Sequence, residues 1–184
     1  MKHHSVVWLA FLGALAIAGC KEQKAALPPH PHVLNEASTG RYCGMQVLEH
    51  AGPKGQIILA SSDEPIWFSS ARDAFAFTML PEEPKDVRAV FVSDMSVAPS
   101  WEAPGASNWI DAAKAFFVIG SRLKGGMGAD ETVPFSTRQS AERFAAENGG
   151  TVAIFQDVPR DYVLSAPAEE PPDGEGHVGT HKTH

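Results

Sequence analysis

The feature that most limits what this chain can fold into is a repeat. The stretch FSSARDAFAF, Phe68 to Phe77, sets against FSTRQSAERF, Phe135 to Phe144, without a gap. Both Phe, the leading Ser, a following Ser/Thr and an inner Ala coincide. Each copy carries a helix start: Ser70 caps with Asp73 at the third helical position, and Ser136 caps with Gln139 in the same relation. Ala74, Phe75, Phe77 and Met79 supply helical apolar residues in the first copy, Ala141, Phe144 and Ala145 in the second. Pro81 and Pro84 stop the first helix, and Gly149-Gly150 closes the second.

Strand-length apolar runs flank both copies in the same order. Ile57–Ser61 and Ile66–Ser69 precede the first helix and Ala89–Ser93 follows it. Phe116–Ser121 and Thr132–Phe135 precede the second, and Thr151–Phe155 follows. The pattern predicts an α+β fold of two similar ββαβ units with largely antiparallel sheets, residues 41–98 and 99–165. A single mixed sheet of five or six strands is the alternative.

The ends read differently. Lys2, His3 and His4 precede an apolar run from Val6 to Gly19, too short and too early for a spanning helix; residues 1–19 are a signal peptide. The run ends in IAGC, Ile17 to Cys20, which resembles a bacterial lipobox, with Cys20 the lipidated residue. Lys21 stands where an Asp would favour inner-membrane retention, so anchoring in the outer membrane is expected. Residues 20–40, polar and containing PPHPH, read as a tether, and residues 166–184, rich in Pro, Gly, Glu and His, as a disordered tail.

With Cys20 lipidated, Cys43 is the one thiol left, and it has no internal disulfide partner. In an oxidising compartment such a thiol must be buried or bound. Cys43-Gly44-Met45 places a thiol and a thioether two residues apart, on one face of an extended chain about 7 Å apart at the backbone. Thiolate with thioether is the soft pairing that selects Cu(I), whereas zinc seeks several Cys and His. Core packing is the plainer use of both residues. A further donor would come from His50, just before a Gly-Pro turn, or from Met127 in the glycine-rich GGMGADE segment. Met95 is a weaker candidate, Met79 reads as helix core, and His30, His32, His177, His181 and His184 read as solvated polar residues.

Other chemistries lack their parts. The chain has no C-x-x-C pair, no G-x-S-x-G elbow and no phosphate-binding glycine loop. Cys43 and His50 have the makings of a nucleophile and its base, but an adjacent methionine has no role there. A formal charge of −7 argues against nucleic acid as a partner.

A lipobox, then C-G-M, then E-H-x-G-P-K-G-Q resembles the NosL family of nitrous-oxide reductase accessory proteins. The WIDAAKAFFV stretch at Trp109–Val118, Met127-Gly128, Pro134-Phe135 and the A-x-x-F-A-x-x-x-G-G pattern at Ala141–Gly150 extend the resemblance over residues 17–160. It implies a pair of ββαβ units and a membrane-anchored periplasmic Cu(I) chaperone, not an enzyme. Such a protein supplies copper for the centres of nitrous-oxide reductase and works with the NosDFY transporter complex. Residue by residue, the family's C-G-M falls on Cys43 and Met45, its M-G on Met127, and its acid–His pair on His50. The tail receives no role. The family's likeness to the organomercurial lyase fold keeps a Cys-dependent enzyme as one alternative, and a scaffolding lipoprotein of the maturation complex is another.

Overall fold

A computed structural model describes residues 28–165. The segment read as a signal peptide, Cys20, the start of the stretch expected as a tether and residues 166–184 with their histidines lie outside the described residues. β1 (Gly55–Leu59), β2 (Ser62–Phe68), α1 (Ala71–Met79) and β3 (Val87–Ser93) form the first unit. After β4 (Trp109–Asp111), the second follows as β5 (Phe116–Ile119), β6 (Val133–Phe135), α2 (Arg138–Asn148) and β7 (Thr151–Ile154). A short α3 (Arg160–Leu164) ends the described chain.

The repeat governs topology as well as order. The first sheet runs β2-β1-β3-β4 and the second β6-β5-β7, so the first strand of each unit is central and its hairpin partner and post-helical strand flank it. All pairs are antiparallel. Among the described residues there are two sheets, not one mixed sheet. β4 falls within the range expected for the second unit but joins the first sheet, its Trp109–Asp111 pairing with Phe91–Ser93. Only a partner strand more than a dozen residues away defines it, which local pattern cannot supply.

The caps shift from expectation in both copies. Ser70 precedes α1, yet its hydroxyl makes no cap bond. The second cap is Thr137, whose oxygen accepts Ser140 N–H at 3.2 Å; Ser136 instead donates its backbone N–H to Asp94 Oδ1 at 3.0 Å. Ser70 and Thr137 are the residues the repeat alignment equates, so the caps obey the repeat even where the motif reading did not.

The units share a core. Phe117 of β5 lies fully buried in the cluster formed by Ile57, Phe68, Ala74, Phe75, Phe77 and Val92. Phe75 of α1 meets the Phe117 ring edge-on at 4.8 Å and stacks on Phe155 at 4.5 Å. A smaller second cluster of Val118, Val133, Phe135 and Ala141 lies under α2. The chain leaving β3 ties the sheets together, Met95 N–H donating to Pro134 O at 2.9 Å.

The stretch expected as a tether is not free throughout. Gln56, fully buried in β1, accepts His32 N–H at 2.8 Å and donates to His32 O at 3.0 Å. Leu34 is buried, its N–H on Ala106 O. A buried side-chain amide needs both partners satisfied, and here a segment without apolar periodicity supplies them.

Candidate functional site

Cys43-Gly44-Met45 occupies a tight turn, not the extended strand its spacing suggested. Gly40 N–H donates to Met45 O and Gly44 N–H to Gly40 O, each at 2.9 Å. Gly44 has a φ of 66°, left-handed backbone that glycine enters at no steric cost. Gly40 is needed for a different reason: a Cβ there would lie 2.5 Å from Cys43 Sγ. The thiol therefore folds back over bare backbone.

The turn is fastened on the Arg41-Tyr42 side. Arg41 N–H donates to Trp67 O at 2.8 Å, and its guanidinium meets Glu83 Oε2 at 3.0 Å. Tyr42 packs on Phe68 with ring centroids 5.6 Å apart and donates its hydroxyl to Glu83 Oε1 at 3.0 Å. Burial and the Glu83 carboxylate push the Tyr42 phenol well above its ordinary range, which keeps that hydroxyl a donor. Past the turn, buried Val47 opens a 3-10 turn (Val47–Glu49), and His50 follows it.

That path brings His50 Nε2 to 3.9 Å from Cys43 Sγ. The thiol also faces the Met45 carbonyl at 3.9 Å. Cys43 is half-buried, whereas Met45 is exposed. Met127 is exposed at the tip of its glycine-rich loop, and the neighbouring Gly126 abuts His50 and Ala51. The other methionines among the described residues go elsewhere: Met79 packs on the main core and Met95 on the smaller one, with Trp101. Among the described residues, no three His, Cys, Asp or Glu side chains gather as a metal site. A third side-chain donor beside Cys43 and His50 would have to come from outside those four residue types, and the thioethers are the soft choice. Beside His50 a cavity of about 130 Å³ opens, lined by Leu34, Leu48, Lys54 and the 102–106 segment.

Two buried charges underlie the site, and the sequence reading assigned neither. Lys54, 1 % exposed, donates to His50 O at 2.5 Å, Ala51 O at 3.0 Å and Ser69 O at 3.4 Å. Burial pulls its ammonium down to about 8, against the opposing pull of the Glu131 and Cys43 charges. Glu131, also 1 % exposed, accepts Arg72 N–H at 2.8 Å and Thr132 N–H at 2.9 Å. Burial raises it to about 7. Lys54 stands inside the E-H-x-G-P-K-G-Q motif, a signal available in the sequence; nothing local in ADETVP marks Glu131 as buried.

Fold and site define an α+β domain of two ββαβ repeats, with a thiol, an imidazole and an exposed thioether on the segment leading into β1 and a second exposed thioether on the β5–β6 connection. The profile of the NosL family matches residues 31–163, and the chain belongs to that family. It is 41 % identical over 171 residues to the copper-binding lipoprotein NosL of Achromobacter cycloclastes, covering 90 % of this chain and 88 % of the relative. Its counterpart from Stutzerimonas stutzeri is 28 % identical over 179 residues, covering 96 % and 92 %. Among solved structures, the crystal structure of the copper chaperone NosL from Shewanella denitrificans matches with a TM-score of 0.68 at 34 % identity, covering 72 % of this chain and 98 % of that one. None of these relatives is named as an enzyme.

Proposed function

We propose that this protein is a lipid-anchored periplasmic metallochaperone that binds one Cu(I) through Cys43 and Met45, with His50 and Met127 completing the site. The observation that carries this reading is the 3.9 Å approach of Cys43 Sγ and His50 Nε2, on a turn whose next residues present a thioether. Soft sulfur donors beside one imidazole suit Cu(I) better than any harder ion. The relatives' printed names, copper-binding lipoprotein and copper chaperone, support it.

The geometry suits delivery. Met45 and Met127 are exposed, so an incoming donor from a receiver can displace them one at a time while Cys43 and His50 still hold the ion. A closed cage of four buried ligands would bind and not release. Cys20 fixes the protein to a membrane, the outer membrane by the Lys21 criterion. Its receiver is the NosDFY complex and, through it, apo nitrous-oxide reductase; the family resemblance supports this partner.

The test is an anaerobic Cu(I) titration of the lipid-free protein against a chelator of known affinity, with Cys43→Ser, Met45→Leu, Met127→Leu and His50→Ala alongside. One-to-one binding that collapses in the Cys43 and Met45 variants, and weakens in the other two, is the expected result. Binding that survives loss of Cys43 overturns the reading.

A further inference from the structure

The site is split between the two repeat units. Cys43, Met45 and His50 lead into the first, while Met127 rides on the connection between β5 and β6. That connection closes on itself. Lys124 and Asp130 form an antiparallel bridge and an ion pair, Gly125 N–H donates to Ala129 O at 2.9 Å, and Gly128 N–H donates to Gly125 O at 2.8 Å. Met127 therefore sits on a preformed loop whose placement, more than its internal shape, sets its reach.

Two glycines seat the loop by what they lack. A Cβ on Gly125 would lie 2.7 Å from Glu131 Oε2, on the buried carboxylate that receives the start of α1. A Cβ on Gly126 would lie 2.7 Å from His50 Cβ, 2.9 Å from Ala51 O and 3.0 Å from Ala51 N. Gly126 is not among the positive-φ glycines, so an alanine fits its backbone. What excludes a side chain is the approach of the His50–Ala51 segment. That segment is held by the Lys54 ammonium on its two carbonyls, so it cannot readily yield.

We propose that Gly126 is a positioning residue of the metal site: its bare Cα, pressed on the His50–Ala51 backbone, brings Met127 within reach of the ion held by Cys43 and His50. The inference rests on the copper reading above and says how the second unit joins the site. A methyl group at Gly126 wedges the loop outward while leaving Cys43, Met45, His50 and Met127 chemically intact.

The experiment compares Cu(I) affinity by anaerobic chelator competition in the lipid-free parent, Gly126→Ala, Met127→Leu and the double variant. The Met methyl signals are followed by NMR on 13C-methyl-methionine protein. Gly126→Ala is expected to weaken binding about 10- to 100-fold, the range for supporting residues around a metal. Its Met127 methyl should no longer shift on adding Cu(I), while that of Met45 still does. The double variant should bind no more weakly than Gly126→Ala alone, because both remove the same donor. A Gly126→Ala protein with parental affinity and a shifting Met127 methyl overturns the proposal, as does additive loss in the double variant. Unchanged affinity in Met127→Leu overturns it without recourse to the glycine variant. Failure of the parent to bind Cu(I), or binding indifferent to Cys43→Ser, refutes the copper reading instead.

Discussion

The carboxylate of Glu131 receives the backbone N–H of Arg72 at 2.8 Å, a contact spanning 59 positions of the chain. A side chain from the second unit thus satisfies an orphan donor at the start of α1, the office that Ser70 leaves unfilled. The Arg72 guanidinium continues the strut, donating to Val163 O at 2.9 Å and Ser165 O at 2.5 Å. The two repeats are therefore locked at the site by polar groups as well as by the Phe75–Phe117 contact.

Burial raises Glu131 from its ordinary 4.5 to about 7, so the folded protein holds a proton that the unfolded chain has lost over that window. Stability then falls as pH rises from 4.5 to 7, by at most about 3 kcal/mol. Asp73, also raised by burial, acts in the same direction. Glu131→Gln keeps an oxygen for the Arg72 and Thr132 amides and removes the titration. Urea midpoints at pH 5 and 7.5 should differ less in the variant than in the parent; an equal difference refutes the assignment.

Lys54 is buried on three carbonyls and feels the charge of Glu131 without forming an ion pair with it. Lys54→Met leaves three carbonyls without their donor, a cost of about 1–3 kcal/mol for each that water does not reach. Adding Glu131→Gln should recover part of that loss, since the uncompensated charge is gone. Additive unfolding free energies in the cycle would show that the two do not interact.

Gly40 offers a way to disturb the thiol alone. In Gly40→Ala the new Cβ meets Cys43 Sγ at 2.5 Å and must rotate it away. Cu(I) affinity should drop about tenfold while the unfolding free energy from urea titration changes by less than about 1 kcal/mol, because only an off-rotamer side chain is at stake. Parental affinity would mean that the thiol finds its place regardless.

Phe75 joins the units through Phe117 and Phe155. Phe75→Ala should cost about 3–5 kcal/mol. Because its cluster spans both sheets, unfolding should stay a single transition by fluorescence and circular dichroism. Two separated transitions would show that the repeats are independent.

Much of this protein was determined within short windows of its sequence. Strand-length apolar runs and helical apolar spacing placed the six repeat strands and two repeat helices, because those patterns report which local segments are buried and on which face. The likeness of Phe68–Phe77 to Phe135–Phe144 carried the two-unit architecture, and C-x-M marked soft-metal chemistry because donor softness belongs to the residue type. What only the tertiary structure decided are relations between distant residues. The C-x-M segment became a turn through the Gly40–Met45 hydrogen bond, and β4 acquired a sheet by pairing with β3. Lys54 and Glu131, types read as surface residues by default, are buried where three carbonyls receive the ammonium and the Arg72 and Thr132 amides donate to the carboxylate. Such charges are tolerable inside only where several partners converge, and convergence is set by how the whole chain folds.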